Sequence, residues 1–139
     1  MNSAGTVWPT LSYPTWRDTA VTLQLWTQIV GKFRLALTPW VNHGWHVTLY
    51  VTARGLGTSP IPIKNEIFEI EFDFISHRLI VRTSWGAEPV LPLEPQTVAD
   101  FYHRVLDLLN GIGIAVSINE MPNEMQNPIR FSDDLIHGP

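Results

Sequence analysis

Side chains able to move protons or hold charge gather in two stretches of this sequence. His46, Tyr50 and Arg54 recur at even spacing and run directly into Gly55-Leu56-Gly57-Thr58-Ser59, while Glu69, Glu71, Asp73, Arg78 and Arg82 follow some fifteen residues later. An imidazole, a phenol, a guanidinium and carboxylates are the types that general acid–base chemistry and the recognition of charged ligands require. The glycines at 55 and 57 let backbone N–H groups approach a phosphate or carboxylate, and Arg54, Thr58 and Ser59 add donors. No helix is expected directly after them, which excludes the Walker and dinucleotide-binding versions of such a loop. An ordinary connection after a strand accounts for the same residues.

His43 and His46 are weak candidates for a divalent metal, with His77, His103 or a carboxylate completing the set, because this spacing alone does not make two rings converge. No cofactor is expected. Cysteine is absent, which removes disulfides, thiolate ligands and a cysteine nucleophile. Ser59 lies in no Gly-x-Ser-x-Gly elbow, so serine hydrolysis has no support. Lys32 and Arg34 lie near the end of a predicted helix, where a cation suits the negative end of the helix dipole.

These residues need a frame, and the apolar pattern supplies one. Leu23, Trp26, Val30, Phe33 and Leu37 recur at helical spacing after Thr15 and Asp18, a variant capping box, predicting a helix over 15–38 that Pro39 ends. Its far side carries Gln24, Thr27, Gln28, Gly31 and Arg34. Residues 46–54 and 66–74 alternate apolar and polar with period two, the pattern of half-buried strands. Residues 55–62 between them read as a loop.

A turn at Ile75 and Ser76 returns the chain through 78–84, in a register that sets Asp73 against Arg78, Glu69 against Arg82, Phe72 against Leu79 and Ile70 against Val81. Cross-strand ion pairs on a solvated face account for those charges. Glu71 falls opposite Ile80 and is left without a partner, which places His46, Tyr50, Arg54 and Glu71 on one surface if the 46–54 strand is the neighbour. A second turn at Trp85 and Gly86 leads to an edge segment, 87–93, that Pro89 and Pro92 restrict. Thr97 and Asp100 cap a second helix stopped by Asn110-Gly111, and 114–118 reads as a last short strand.

The expected fold is therefore α+β: an antiparallel sheet of three to five strands with two helices, in the order α-β-β-β-(β)-α-β. A single domain spans 15–118, between an N-terminal extension, 1–14, and an extended C-terminal tail, 119–139, ordered only where it docks.

With 139 residues, 45% of them apolar, the chain can bury a core of its own. The net charge is −4 and the nine basic residues are scattered, unlike the footprint of a nucleic-acid binder. Residues 1–7 carry no signal-peptide pattern and no segment approaches the roughly 20 apolar residues of a spanning helix, so no membrane contact and a cytoplasmic location are expected. Of six tryptophans, five (Trp8, Trp16, Trp26, Trp40 and Trp45) fall in the first third, where they serve a core or an interface.

Several stretches are distinctive: Leu25-Trp26-Thr27-Gln28-Ile29-Val30-Gly31-Lys32, Asn42-His43-Gly44-Trp45-His46-Val47, Tyr50 to Leu56 with Thr58-Ser59-Pro60-Ile61-Pro62, Phe72-Asp73-Phe74, and Met121-Pro122-Asn123-Glu124. Together they resemble a family of uncharacterised bacterial proteins known only as a domain of unknown function, over roughly 8–131. The resemblance implies no activity, ligand or catalytic residue. Its usual members look like this chain followed by a similar second half, which implies that this chain corresponds to the N-terminal half. A surface covered by the second half would then be exposed here, and a homodimer is the common way to cover it.

Three classes of function stay open at this point. The first is a small-molecule or anion-binding domain using the polar sheet face and the Arg54–Ser59 loop, with His46, Tyr50, Arg54, Glu71, Thr58 and Ser59 as its site. The second is a self-association or partner-binding module without chemistry, and the third an acid–base or metal-assisted enzyme.

Overall fold

The structure, a computed structural model, describes residues 9–38 and 49–138. Helix α1 spans Tyr13–Leu37. It starts two residues before the expected cap: Ser12 is the N-cap, Pro14 occupies the first turn, and the Thr15 hydroxyl donates back to the Ser12 carbonyl at 2.6 Å. Proline suits that position because its missing N–H has no intrahelical partner there. At the other end Thr38 is extended (φ −113°, ψ 152°), as a residue preceding proline must be, and its N–H and hydroxyl both bond to the Arg34 carbonyl. Leu25, Trp26, Ile29, Val30 and Phe33 form the buried stripe.

Six short strands make one antiparallel sheet: β1 (Tyr50–Val51), β2 (Gly55–Gly57), β3 (Ile61–Ile63), β4 (Glu66–Asp73), β5 (Arg78–Thr83) and β6 (Val90–Pro92). The order is β1-β2-β4-β5-β6, with β3 also on β4. The stretch expected as a loop, 55–62, thus contributes two strands to the same edge of β4. Between them the Thr58 N–H donates to the Ile70 carbonyl, the Ile70 N–H donates to the Thr58 hydroxyl, and Ser59 takes a left-handed φ of 61°. A side-chain oxygen stands in for one backbone acceptor of the ladder, which is why a Gly- and Pro-rich stretch can pair with a central strand.

The β4–β5 register is the expected one, residue for residue from Phe68↔Thr83 to Asp73↔Arg78. Its ion pairs differ from those inferred: Asp73 binds Arg54, and Arg82 binds Glu71 and Glu88. Opposed residues are close, but a long guanidinium reaches diagonally to whichever carboxylate has open lone pairs.

Both helices cover one face of the sheet. Helix α2 (Val98–Gly111) begins at Thr97, whose hydroxyl accepts the Asp100 N–H as expected, while the left-handed stop is Gly113 (φ 84°) rather than Asn110-Gly111. Trp26 stacks on Phe101 with centroids 4.5 Å apart, and Phe101 reaches Phe72 of the sheet at 6.1 Å. Such aromatic pairs contribute about 1 kcal/mol beyond their burial. These rings tie α1, α2 and β4 together.

Residues 114–118 pair with no strand among the described residues, although Ile114 is buried in the core. One anchored side chain per few residues fixes such a segment without a ladder. The chain then crosses back over both helices. Phe131, at the start of a short 3-10 helix (Phe131–Asp133), is fully buried, and its N–H donates to the Glu120 carbonyl. Glu120 also accepts from Arg130 and Ser132, closing 120–132 into a ring.

Candidate functional site

The face of the sheet opposite the helices carries the residues expected to do chemistry. Period-two alternation puts Glu69, Glu71 and Asp73 of β4 there, with Arg78, Ile80 and Arg82 of β5 beside them. Tyr50, Thr58, Ser59 and Glu71 line one hollow of about 180 Å³, together with Glu69 and Arg82. Four of the six expected site residues therefore meet.

Arg54 is not among them. It turns to the far end of β4, where its Nε donates to Asp73 Oδ2 at 2.6 Å, while Asp73 Oδ1 accepts the N–H groups of Ile75 and Ser76, each at 2.9 Å. Asp73 is buried, and the Arg54 guanidinium, with the turn N–H groups, holds its carboxyl well below the usual carboxylate range against the opposing effect of burial. The two turn N–H groups fix the β4–β5 hairpin, and Arg54 ties the turn before β2 to its end. His43 and His46 lie outside the described residues. Among the described residues, no group of three or more His, Cys, Asp or Glu side chains could hold a metal ion.

Two further expectations change. Glu71 has a partner, Arg82 Nη1 at 3.1 Å, so the charge that seemed free is neutralised. The Thr58 hydroxyl is committed on both sides, accepting from Ile70 and donating to the Ser59 carbonyl. Arg82 is shared between Glu71 and Glu88, with Glu69 opposite it in register. Among the described residues carboxylates outnumber cations around this hollow, which disfavours anions.

A second concavity, about 490 Å³, opens on the far side of α1. Gln24, Thr27, Gln28, Gly31, Lys32 and Leu35 form its floor, Leu49 and Leu56 one wall, and Asn123 and Glu124 the other. The two outer motifs of the sequence, 25–32 and 121–124, meet here. Gln28 Nε2 donates to the Asn123 carbonyl at 3.0 Å and the Asn123 N–H donates to Gln28 Oε1 at 2.8 Å.

Lys32 departs furthest from its expected role. Beyond suiting the helix dipole it is buried, 8% exposed, with Nζ donating to the carbonyls of Asn119 at 3.0 Å and Met121 at 2.5 Å. Burial pushes its pKa down, because a low-dielectric surrounding disfavours the charged form. Nζ also lies 5.5 Å from the centroid of the Phe131 ring. The missed signal is an absence of charge: α1 carries none from Thr19 to Gly31, whereas a freely solvated helix face of that length usually does.

No helix among the described residues is long and apolar enough to cross a membrane. The model of the DUF5996 family, a family of unknown function, matches residues 8–139, nearly the entire sequence, and the chain belongs to that family. No curated protein and no solved structure matches the chain.

Proposed function

We propose that this DUF5996 chain is a small-molecule-binding domain whose ligand occupies the cleft between α1 and the C-terminal segment. One observation carries the reading: the cleft has the size of a small-molecule site, and its outer wall, Asn123, is hydrogen-bonded in place by Gln28 of its floor. A concavity held open by such bonds is already formed before a ligand arrives. The hollow on the polar sheet face is the weaker site, being smaller and with its one guanidinium already shared between two carboxylates.

Native mass spectrometry of the purified chain tests the proposal, with Thr27→Trp to fill the cleft and Glu71→Gln to alter the sheet-face hollow. A retained mass that Thr27→Trp abolishes and Glu71→Gln preserves is the expected result. The opposite pattern would move the site to the sheet face, and no binder in a fragment screen followed by NMR would end the ligand reading.

Self-association is the second reading. Both helices cover the same face of the sheet, leaving Tyr50 and Ile67, each half exposed, and Val90 on the other. Two copies joined through this face would form a homodimer with a closed second layer. The same spectrum tests it, since a monomer at micromolar concentration excludes a stable dimer.

A further inference from the structure

We infer that the ligand of this cleft is a small monocarboxylic acid with an apolar body, its carboxylate seated on Lys32. The inference rests on the cleft reading above and adds the chemical class. An ammonium has three donors: two of those of Lys32 meet the carbonyls of Asn119 and Met121, Nζ lies 5.5 Å from the centroid of the Phe131 ring, and no oxygen or nitrogen among the described residues accepts the third, which an acceptor in the cleft that Lys32 lines can take. Among the described residues no carboxylate forms an ion pair with it. A buried charge is costly unless it is paired as well as hydrogen-bonded, and two carbonyl dipoles and the face of the Phe131 ring supply no counter-charge. An anion in the cleft completes the set.

The rest of the lining restricts that anion. Leu35, Leu49 and Leu56 offer an apolar surface, which suits a hydrocarbon body and disfavours an inorganic ion. Among the described residues of the lining Glu124 is the one carboxylate and Lys32 the one cation, and Glu124 is exposed. A second negative charge on the ligand would meet Glu124 without a second cation among the described lining residues to balance it. Gln24 and Thr27 are neutral and place no further demand on charge.

Titration of the full-length, ¹⁵N-labelled chain with octanoate, octanol and octyl phosphate, followed by NMR, tests this. Octanoate is expected to shift the amides of Gly31, Met121 and Asn123 saturably and to bind about tenfold tighter than octanol, the effect of one charge-assisted hydrogen bond. Lys32→Met is expected to abolish that preference. If Lys32→Met fails to fold, the comparison of octanoate with octanol on the natural chain decides alone. Equal binding of octanoate and octanol would overturn the anion and leave the cleft reading intact, and tighter binding of octyl phosphate would overturn the single charge. If none of the three shifts these amides, the acid is the wrong class; the cleft reading then stands or falls separately, on whether Thr27→Trp displaces the ligand retained in the mass spectrum.

Discussion

Gln28 and Asn123, ninety-five residues apart, exchange two hydrogen bonds: the side-chain amide of one satisfies both the N–H and the carbonyl of the other. A glutamine side chain here does the work of a paired strand. It fixes segment 121–124 against α1 and so sets the width of the cleft, with Lys32 holding the same segment one helical turn further on.

Removing that side chain should therefore loosen the wall without unfolding the domain. In Gln28→Ala the Asn123 amide is expected to exchange with solvent about fivefold faster, since an exposed hydrogen bond contributes about 1 kcal/mol. Gln24→Ala lines the same cleft but frees no bond to the segment, and exchange there should be unchanged. Hydrogen-exchange mass spectrometry of the two variants makes the comparison. Equal protection in both would mean that Lys32 alone holds the segment.

The fold was legible where one face of an element is buried, and the pairing of the long charged side chains was not. Phe68, Ile70 and Phe72 fixed the β4–β5 register from sequence because a slip of one residue would have turned all three to solvent. No such constraint acts on Arg54 or Arg82. Their long side chains choose among several carboxylates within reach, so pairing by register alone put Asp73 with Arg78 and left Glu71 free. The contacts of Lys32 were not legible for a related reason: its position in the last third of α1 suits the helix dipole, but its acceptors, the carbonyls of Asn119 and Met121, lie in a segment that no local pattern predicts. Residues 55–62 look like a loop because what holds them, the Thr58 hydroxyl in the ladder of β4, has no sequence period.

Acid should weaken the β4–β5 hairpin through Asp73. Its carboxyl lies below its ordinary pKa near 3.8 in the folded chain, chiefly because of Arg54, so its contribution is fully present above that value and is lost as pH falls toward the folded one. Glu120, lowered chiefly by Arg130, acts in the same sense. The expected result is that Asp73→Asn melts below the natural protein at pH 7 and that the gap in Tm narrows steadily between pH 4 and pH 2. A gap independent of pH would show that Asp73 acts through its geometry in the turn and not through its charge.

Three glycines should respond differently to alanine. A Cβ on Gly55 would lie 1.9 Å from the Phe72 carbonyl oxygen, a backbone atom that can yield only if β2 moves off β4. Gly55→Ala is expected to cost about 2 kcal/mol or more in urea denaturation. On Gly57 the nearest atom is the Thr52 methyl at 3.2 Å, which can rotate away, and the loss should be under about 1 kcal/mol. Gly111 is helical with nothing within 4 Å of the added carbon, so Gly111→Ala should stabilise by about 0.5 to 1 kcal/mol. A loss at Gly57 as large as at Gly55 would contradict this account of the sheet edge.

The N-terminus of α2 shows how the C-terminal segment stabilises the domain. A helix leaves its first N–H groups without intrahelical partners, and here each of the first three finds one outside the helix: Val98 donates to the His137 carbonyl, Ala99 to the Asp134 carbonyl and Asp100 to the Thr97 hydroxyl. Asp134 holds the two carbonyls in place. Its buried carboxylate accepts the N–H groups of Ile136 and His137 and meets His137 Nδ1 at 2.7 Å. Thr97→Ala removes one cap and should cost about 1 kcal/mol. Asp134→Ala strands two turn N–H groups and loosens two caps, so it should cost more, about 2 to 3 kcal/mol. Because both substitutions act on one helix end, the double variant should lose less than the sum of the single losses. Denaturation of the three variants decides, and strict additivity would mean that the segment and Thr97 stabilise α2 independently.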